Sequence, residues 1–389
     1  MAAKEPFRES NWSTVPIRDL GLTIEGTRLE PVLDEFTREL DRAGIRVRPR
    51  YYLSTEWGVL TGTVTIAIPF YLARPELTDL HGSKVGYFEG VGRAELLRYL
   101  RHEMGHVVNY AYRLYDQEEW VKLFGPITRP YLEEYRPSPF SRRYVRHLPG
   151  WYAQKHPDED WAETFAVWMT PGRDWREEYA DQPMALAKLT YCDRTMVALR
   201  EVEPLETAST IVEDVGELPY SVDQYYGAMG SAVGEFPHGL EGALRAIFED
   251  LGAPEDGSDS ARKPASQLIR GMERELMSNV YRWTGHFPER TRALVRHLAE
   301  RADQLGQVSP AGSEDAASMA VTTLVTALAM NHVHQGSYLP EAQPEGGAER
   351  ASEPPAPERD TLAPQTPPPA GNEPSQPREV LPEPARERA

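Results

Sequence analysis

The chain has a single cysteine, Cys192, among 389 residues. That excludes a disulfide scaffold and a cysteine-rich zinc finger. Positive charge is also short: 42 Lys and Arg stand against 60 Asp and Glu, for a formal charge of −18. So acidic a chain repels DNA, RNA and anionic lipid, and neither nucleic acid nor a membrane is expected as a partner. It has no unbroken run of about 18 apolar residues, so no membrane span is expected. The opening MAAKEPFRES lacks the apolar centre of a signal peptide, and a cytoplasmic location is the simplest expectation. The glycines at 82–92 are followed by no G-K-[ST], which excludes a phosphate loop of that type. There is no internal repeat. Residues 341–389 contain no aromatic residue and a dozen prolines. Such a stretch buries too little surface to offset its ordering entropy, and a disordered tail is expected over 336–389.

What remains divides by pattern. Residues 1–26 read as a loose arm. Leu29, Val32, Leu33, Phe36 and Leu40 recur at helical spacing before Gly44, predicting a helix over 28–42. Strands are predicted around 45–53 and 63–72, the second rich in β-branched and aromatic residues. A long helix follows over 94–115. The connection 116–155 is too long for an idle loop and predicts short helices or a functional surface. Helices are predicted over 157–169 and 183–202. These elements make an α+β domain over 27–203. A linker is expected at 204–220, then a mainly helical region over 221–335, with helices near 240–251, 265–284, 289–305 and 314–332.

The chemistry concentrates in RHEMGHV at 101–107. His102-Glu103-Met104-Gly105-His106 fits H-E-x-x-H. Two histidines four apart lie one turn apart on one helical face, so both rings can reach one Zn²⁺. The intervening glutamate is then placed to take a proton from water at the open position. On a helical wheel Leu97, Leu100, Met104, Val108 and Ala111 form the core stripe. His102 and His106 face the other way with Glu95, Tyr99, Asn109 and Tyr110. A catalytic zinc needs a third protein ligand. The stretch HPDEDWAETFA at 156–166 offers one: Pro157 and three acids suit a helix start. Glu159 and Glu163 share a face with Ala162 and Ala166, small enough for a close helix approach. Glu159 is the expected ligand, and Glu163 the expected hydrogen-bond acceptor for a ligand histidine. Glu163 or Asp160 remains open as the ligand instead.

The HExxH helix followed by an ExxxE helix resembles the gluzincin class of zinc metallopeptidases. More closely, residues 27–200 resemble a bacterial family of zinc-binding metallopeptidases. The likeness rests on PFYLARPEL (69–77), LRYLRHEMGHVVNYAYRL (97–114), SRRYVRHLPGWYAQKHPDEDWAETFAVW (141–168) and WREEYADQP (175–183). The resemblance implies a zincin-like fold, with a small sheet over an active-site helix and a second helix that brings the third ligand. It implies His102, His106 and Glu159 as ligands of one Zn²⁺ per chain, and Glu103 as general base. It also implies Tyr152, seven residues before Glu159, as an oxyanion-stabilising catalytic residue. A phenolic hydroxyl near a metal can donate to a developing oxyanion.

The expected activity is hydrolysis of a peptide or protein substrate. The alternative is a non-catalytic zinc-binding module on the same scaffold, with 221–389 recruiting a protein partner. The intact Glu103 argues against the alternative, since a structural site has no use for it. His332 and His334 are spaced too closely to share a metal from one helix. His147 and His156 are expected to pack rather than react. Arg142, Arg143 and Arg146 suit either an acidic substrate or a solvated face. Cys192 lacks the partners of a nucleophile.

Overall fold

The computed structural model describes residues 11–132, 135–228, 236, 239–250, 263–309 and 312–339. Residues 1–10 of the expected arm and 340–389 of the expected tail lie outside these. The chain is mostly helical with two small sheets, an α+β arrangement.

In chain order the first half holds α1 (Glu30–Ala43), β1 (Arg50–Ser54), β2 (Thr65–Pro69), α2 (Pro75–Lys84) and α3 (Arg93–Ala111). It continues with α4 (Glu118–Phe124), α5 (Pro157–Met169), α6 (Trp175–Glu178), α7 (Pro183–Leu199) and α8 (Val222–Ala228). Helix α1 buries its Val32, Leu33, Phe36 and Leu40 stripe and ends at Gly44, whose φ of 71° is the left-handed conformation glycine adopts freely. Strands β1 and β2 pair in parallel from Arg50–Thr65 to Ser54–Pro69. Every residue of β2 is buried, as a strand covered on both faces requires. The expected helix to 115 stops at Ala111, because Arg113 turns left-handed at φ 49°.

Two expectations are corrected here. Residues 11–26 are no loose arm over their described length. Ile17 and Leu20 are buried in the first core, and the Ile17 amide donates to the Tyr220 carbonyl at 2.9 Å. Nor do residues 204–220 hang between two parts. The Val64 amide donates to Ala208 O at 2.8 Å, the Thr65 hydroxyl to Thr210 O, and the Val215 amide to Leu53 O. The Leu205 and Glu206 amides cap the end of α3 through Ala111 O. The attachment is made largely by main-chain groups, so side-chain composition does not reveal it.

The second half holds α9 (Glu241–Ile247), β3 (Glu249–Asp250), α10 (Ala265–Gly271), α11 (Glu273–Thr284), α12 (Pro288–Gln304), β4 (Gln307–Val308) and α13 (Glu314–Gln335). The expected helix over 265–284 is broken at Gly271–Met272. These helices close a separate apolar core that includes Leu244, Ile269, Val280, Leu294, Leu298, Val321 and Val325. Both cores lie within one compact unit. By length and composition alone α13 is long and apolar enough to cross a membrane. Threonines and a serine interrupt the apolar run, and the Thr322, Thr323 and Thr326 hydroxyls are bonded to carbonyls one turn back. The face with Val321, Val325 and Ala329 packs into the second core.

Candidate metal centre

Helices α3 and α5 meet at a glycine. A Cβ on Gly105 would stand 2.7 Å from Ala162 Cα, so only glycine permits this approach. The Trp161 indole N–H donates to Gly105 O at 2.8 Å and fixes the crossing. The close contact expected of the Ala162 face is therefore made inside the HExxH turn itself.

The crossing brings together groups from both helices. His102 Nε2 and His106 Nε2 are 3.2 Å apart. Glu159 Oε2 lies 3.0 Å from the first and 3.3 Å from the second. The three potential ligand atoms fall within 4.8 Å of one another, and all three residues are buried. Asp160 points elsewhere, to Lys188 Nζ at 2.5 Å. Glu163 reaches the far side of an imidazole, with its Oε1 2.9 Å from His102 Nδ1. It is held in turn by the amides of His147 and Leu148.

His106 has a matching partner that sequence reasoning missed. Asp158 Oδ2 lies 2.9 Å from His106 Nδ1 and accepts from the Tyr110 hydroxyl at 2.5 Å, while Oδ1 accepts from Asn109 Nδ2 at 2.6 Å. A signal existed: two ligand histidines each need an Nδ1 acceptor, and only one had been assigned. Tyr131 was missed too. Its hydroxyl donates to Glu159 Oε1 at 2.7 Å and lies 3.3 Å from the Tyr152 hydroxyl. Nothing in the sequence singles it out within the long connection. The Tyr152 ring packs edge-on to His102, with centroids 5.6 Å apart.

The electrostatics suit a cation. Burial disfavours the charged form of His102, but its hydrogen bonds to Glu159 and Glu163 outweigh this and hold it up to about 9. Burial raises the Glu103 carboxyl, while His102 and His106 pull it the other way. Two nitrogens and a carboxylate converge, both rings are oriented from behind by carboxylates, and the surroundings are rich in negative charge. That donor set fits Zn²⁺.

Residues 89–244 match the family model described as "Putative zinc-binding metallo-peptidase". This family match contains His102, Glu103, His106, Tyr152, Asp158, Glu159 and Glu163, and it ends as the second half begins. It covers less than half of the chain and leaves residues 27–88, part of the resemblance above, outside it. No curated protein and no solved structure matches the chain.

The site opens on a cavity of about 2190 Å³. That is larger than the roughly 300–1,000 Å³ of small-molecule sites. His102, Glu103, His106, Tyr152 and Glu159 line it from the family-matched part, and Tyr281, Phe287 and Tyr338 from the second half. His156 also borders it but caps α5, with its ring nitrogen accepting from the Asp158 amide. His147 Nε2 lies 2.9 Å from Arg98 O. Arg142 pairs with Asp181, and Arg146 lies over the Trp151 ring. Cys192 is fully buried, and burial pushes its thiol well above the usual range.

Proposed function

We propose that the chain is a zinc-dependent peptidase on a zincin-like scaffold, with α3 as active-site helix and the β1–β2 pair over it. His102, His106 and Glu159 would hold one Zn²⁺ per chain. The observation that carries the reading is the convergence of His102 Nε2, His106 Nε2 and Glu159 Oε2 beside Glu103. When bound, zinc supplies a Lewis acid that polarises a carbonyl and acidifies water.

The chain's own residues supply the rest. Glu103 takes the proton from the attacking water and returns it to the leaving amine. Burial raises the Glu103 carboxyl above its ordinary range, which makes it a better proton acceptor than a solvated carboxylate. Tyr152 donates its hydroxyl to the carbonyl oxygen as negative charge builds there. Asp158 and Glu163 hold the two imidazoles with Nε2 facing inward. The size of the cavity favours a peptide or protein segment over a small metabolite.

The test is Glu103→Gln. Peptide hydrolysis should fall by on the order of 10²–10⁴, with zinc content unchanged by metal analysis. Cleavage at the parental rate removes the general-base role. Stoichiometric zinc retained by His106→Ala removes the ligand assignment.

A further inference from the structure

Tyr152 follows a turn whose geometry the chain does not adopt on its own. Gly150 has φ 82° and ψ 10°, and Trp151 has φ 62° and ψ 38°. A bulky residue in the left-handed region is strained and persists only where its surroundings hold it there. Trp151 is 7% exposed. Its indole N–H donates to Trp283 O at 3.2 Å. The Arg146 guanidinium lies 4.0 Å over the Trp151 ring and 4.9 Å over that of Trp283, and it donates to Arg282 O.

Gly150 is enclosed as tightly. A Cβ there would lie 2.5–2.7 Å from the ring edge and hydroxyl of Tyr281. Its carbonyl accepts from the Tyr135 hydroxyl at 2.7 Å. A Cβ on Gly285, the left-handed residue that ends α11, would stand 3.1 Å from that same carbonyl. Tyr281, Arg282, Trp283 and Gly285 all belong to the end of α11, beyond the last residue of the family match. The residue they hold next to, Tyr152, packs on His102 inside it.

We propose that the C-terminal end of α11 is a positioning element for the metal site: by gripping the left-handed Gly150–Trp151 turn, it fixes where the Tyr152 hydroxyl points. This assigns the second half a part in the chemistry and rests on the reading of Tyr152 above. Neither Gly150 nor Trp151 lines the cavity; Tyr281, which Gly150 packs against, does, and the Tyr152→Phe background below separates a route through Tyr152 from one through Tyr281.

The experiment uses the full chain with Gly150→Ala and, should that variant fold poorly, Trp151→Phe, which keeps a ring but loses the N–H donor. Hydrogen exchange gives a readout free of any substrate. Amides of 150–154 should exchange on the order of tenfold faster, with those of α3 and the zinc content unchanged. Unaltered exchange at 150–154 overturns the proposal. The second arm measures cleavage of fluorescently labelled casein. Either variant should lower kcat, by up to on the order of 10²-fold, with KM little changed, and should add almost nothing in the Tyr152→Phe background. A fall of equal size in both backgrounds overturns the positioning role. A Tyr152→Phe variant as fast as the parent overturns it together with the oxyanion role, and leaves the Glu103 and zinc assignments standing on their own test.

Discussion

Helix α5 is buried almost throughout and α12 along one face, and they differ in the charge they bury. Helix α5 sinks Asp158, Glu159, Asp160 and Glu163 below 7% exposure in a single turn and a half. Helix α12 buries Leu294, Val295, Leu298, Ala299 and Ala302, with Thr291 its buried polar residue. An interior of the second kind stabilises by removing apolar surface from water. One of the first kind costs free energy for every desolvated charge, and an apolar replacement of the same shape is often no less stable. On the function proposed above, the buried carboxylates of α5, each aimed at a particular partner, suit that helix to chemistry, and the apolar face of α12 suits it to cohesion.

The sharpest break between the two follows from truncating each. Leu294→Ala should cost about 2–5 kcal/mol of unfolding free energy, read by denaturant titration, because Leu294 is fully buried in the second core. Zinc affinity of the folded fraction should stay at the parental value. A loss of affinity as large as the loss of stability would show that the second core supports the metal site directly.

Asp158→Ala should do the reverse. Asp158 holds His106 Nδ1 and takes hydrogen bonds from Asn109 and Tyr110. Removing such a partner weakens metal affinity by roughly 10–100-fold, measurable by competition with a chromophoric chelator. Affinity within a factor of two of the parent would mean that His106 keeps its orientation without the carboxylate. Glu163→Ala is the companion variant on His102.

The contrast between the halves also sorts what the sequence could reveal. HExxH and the acidic helix start were legible as a candidate site because metal ligation demands particular residue types at a particular spacing. The amphipathic stripe of α1 was legible because burial repeats with the helical period. The partner for His106 was hidden although its residue stood next to Glu159, since an acid at a helix start has a sufficient explanation in the helix dipole. The strap at 204–220 and the docking of Ile17 were hidden because main-chain hydrogen bonds leave little side-chain pattern. The left-handed pair Gly150–Trp151 was hidden for another reason. Nothing about a tryptophan signals positive φ, and the group that holds its indole comes from 132 residues further on.

The smallest effect concerns acid, and it falls on the cohesive half. His286 is 1% exposed, with Nδ1 2.8 Å from the Thr291 hydroxyl and Nε2 3.1 Å from that of Tyr338. Burial, aided by the nearby His332 and Arg290, pushes its pKa down to about 3. The unfolded chain takes up this proton as pH falls below about 6.5, while the folded chain stays neutral to far lower pH. Stability from this site is therefore full above about 6.5 and is lost as pH falls toward 3. The slope approaches about 1.4 kcal/mol per pH unit. His81 and His147, both lowered to about 4 by burial, add acid sensitivity to the first half, so the parent alone does not isolate the effect. The comparison that does is His286→Gln, which keeps hydrogen-bonding groups and cannot titrate. Between pH 6.5 and 5.5 the parent should lose about 1 kcal/mol more than this variant in paired denaturant titrations. Parallel pH profiles would mean that His286 is protonated in the folded chain, and that the second half tolerates a charge that burial beside His332 and Arg290 argues against.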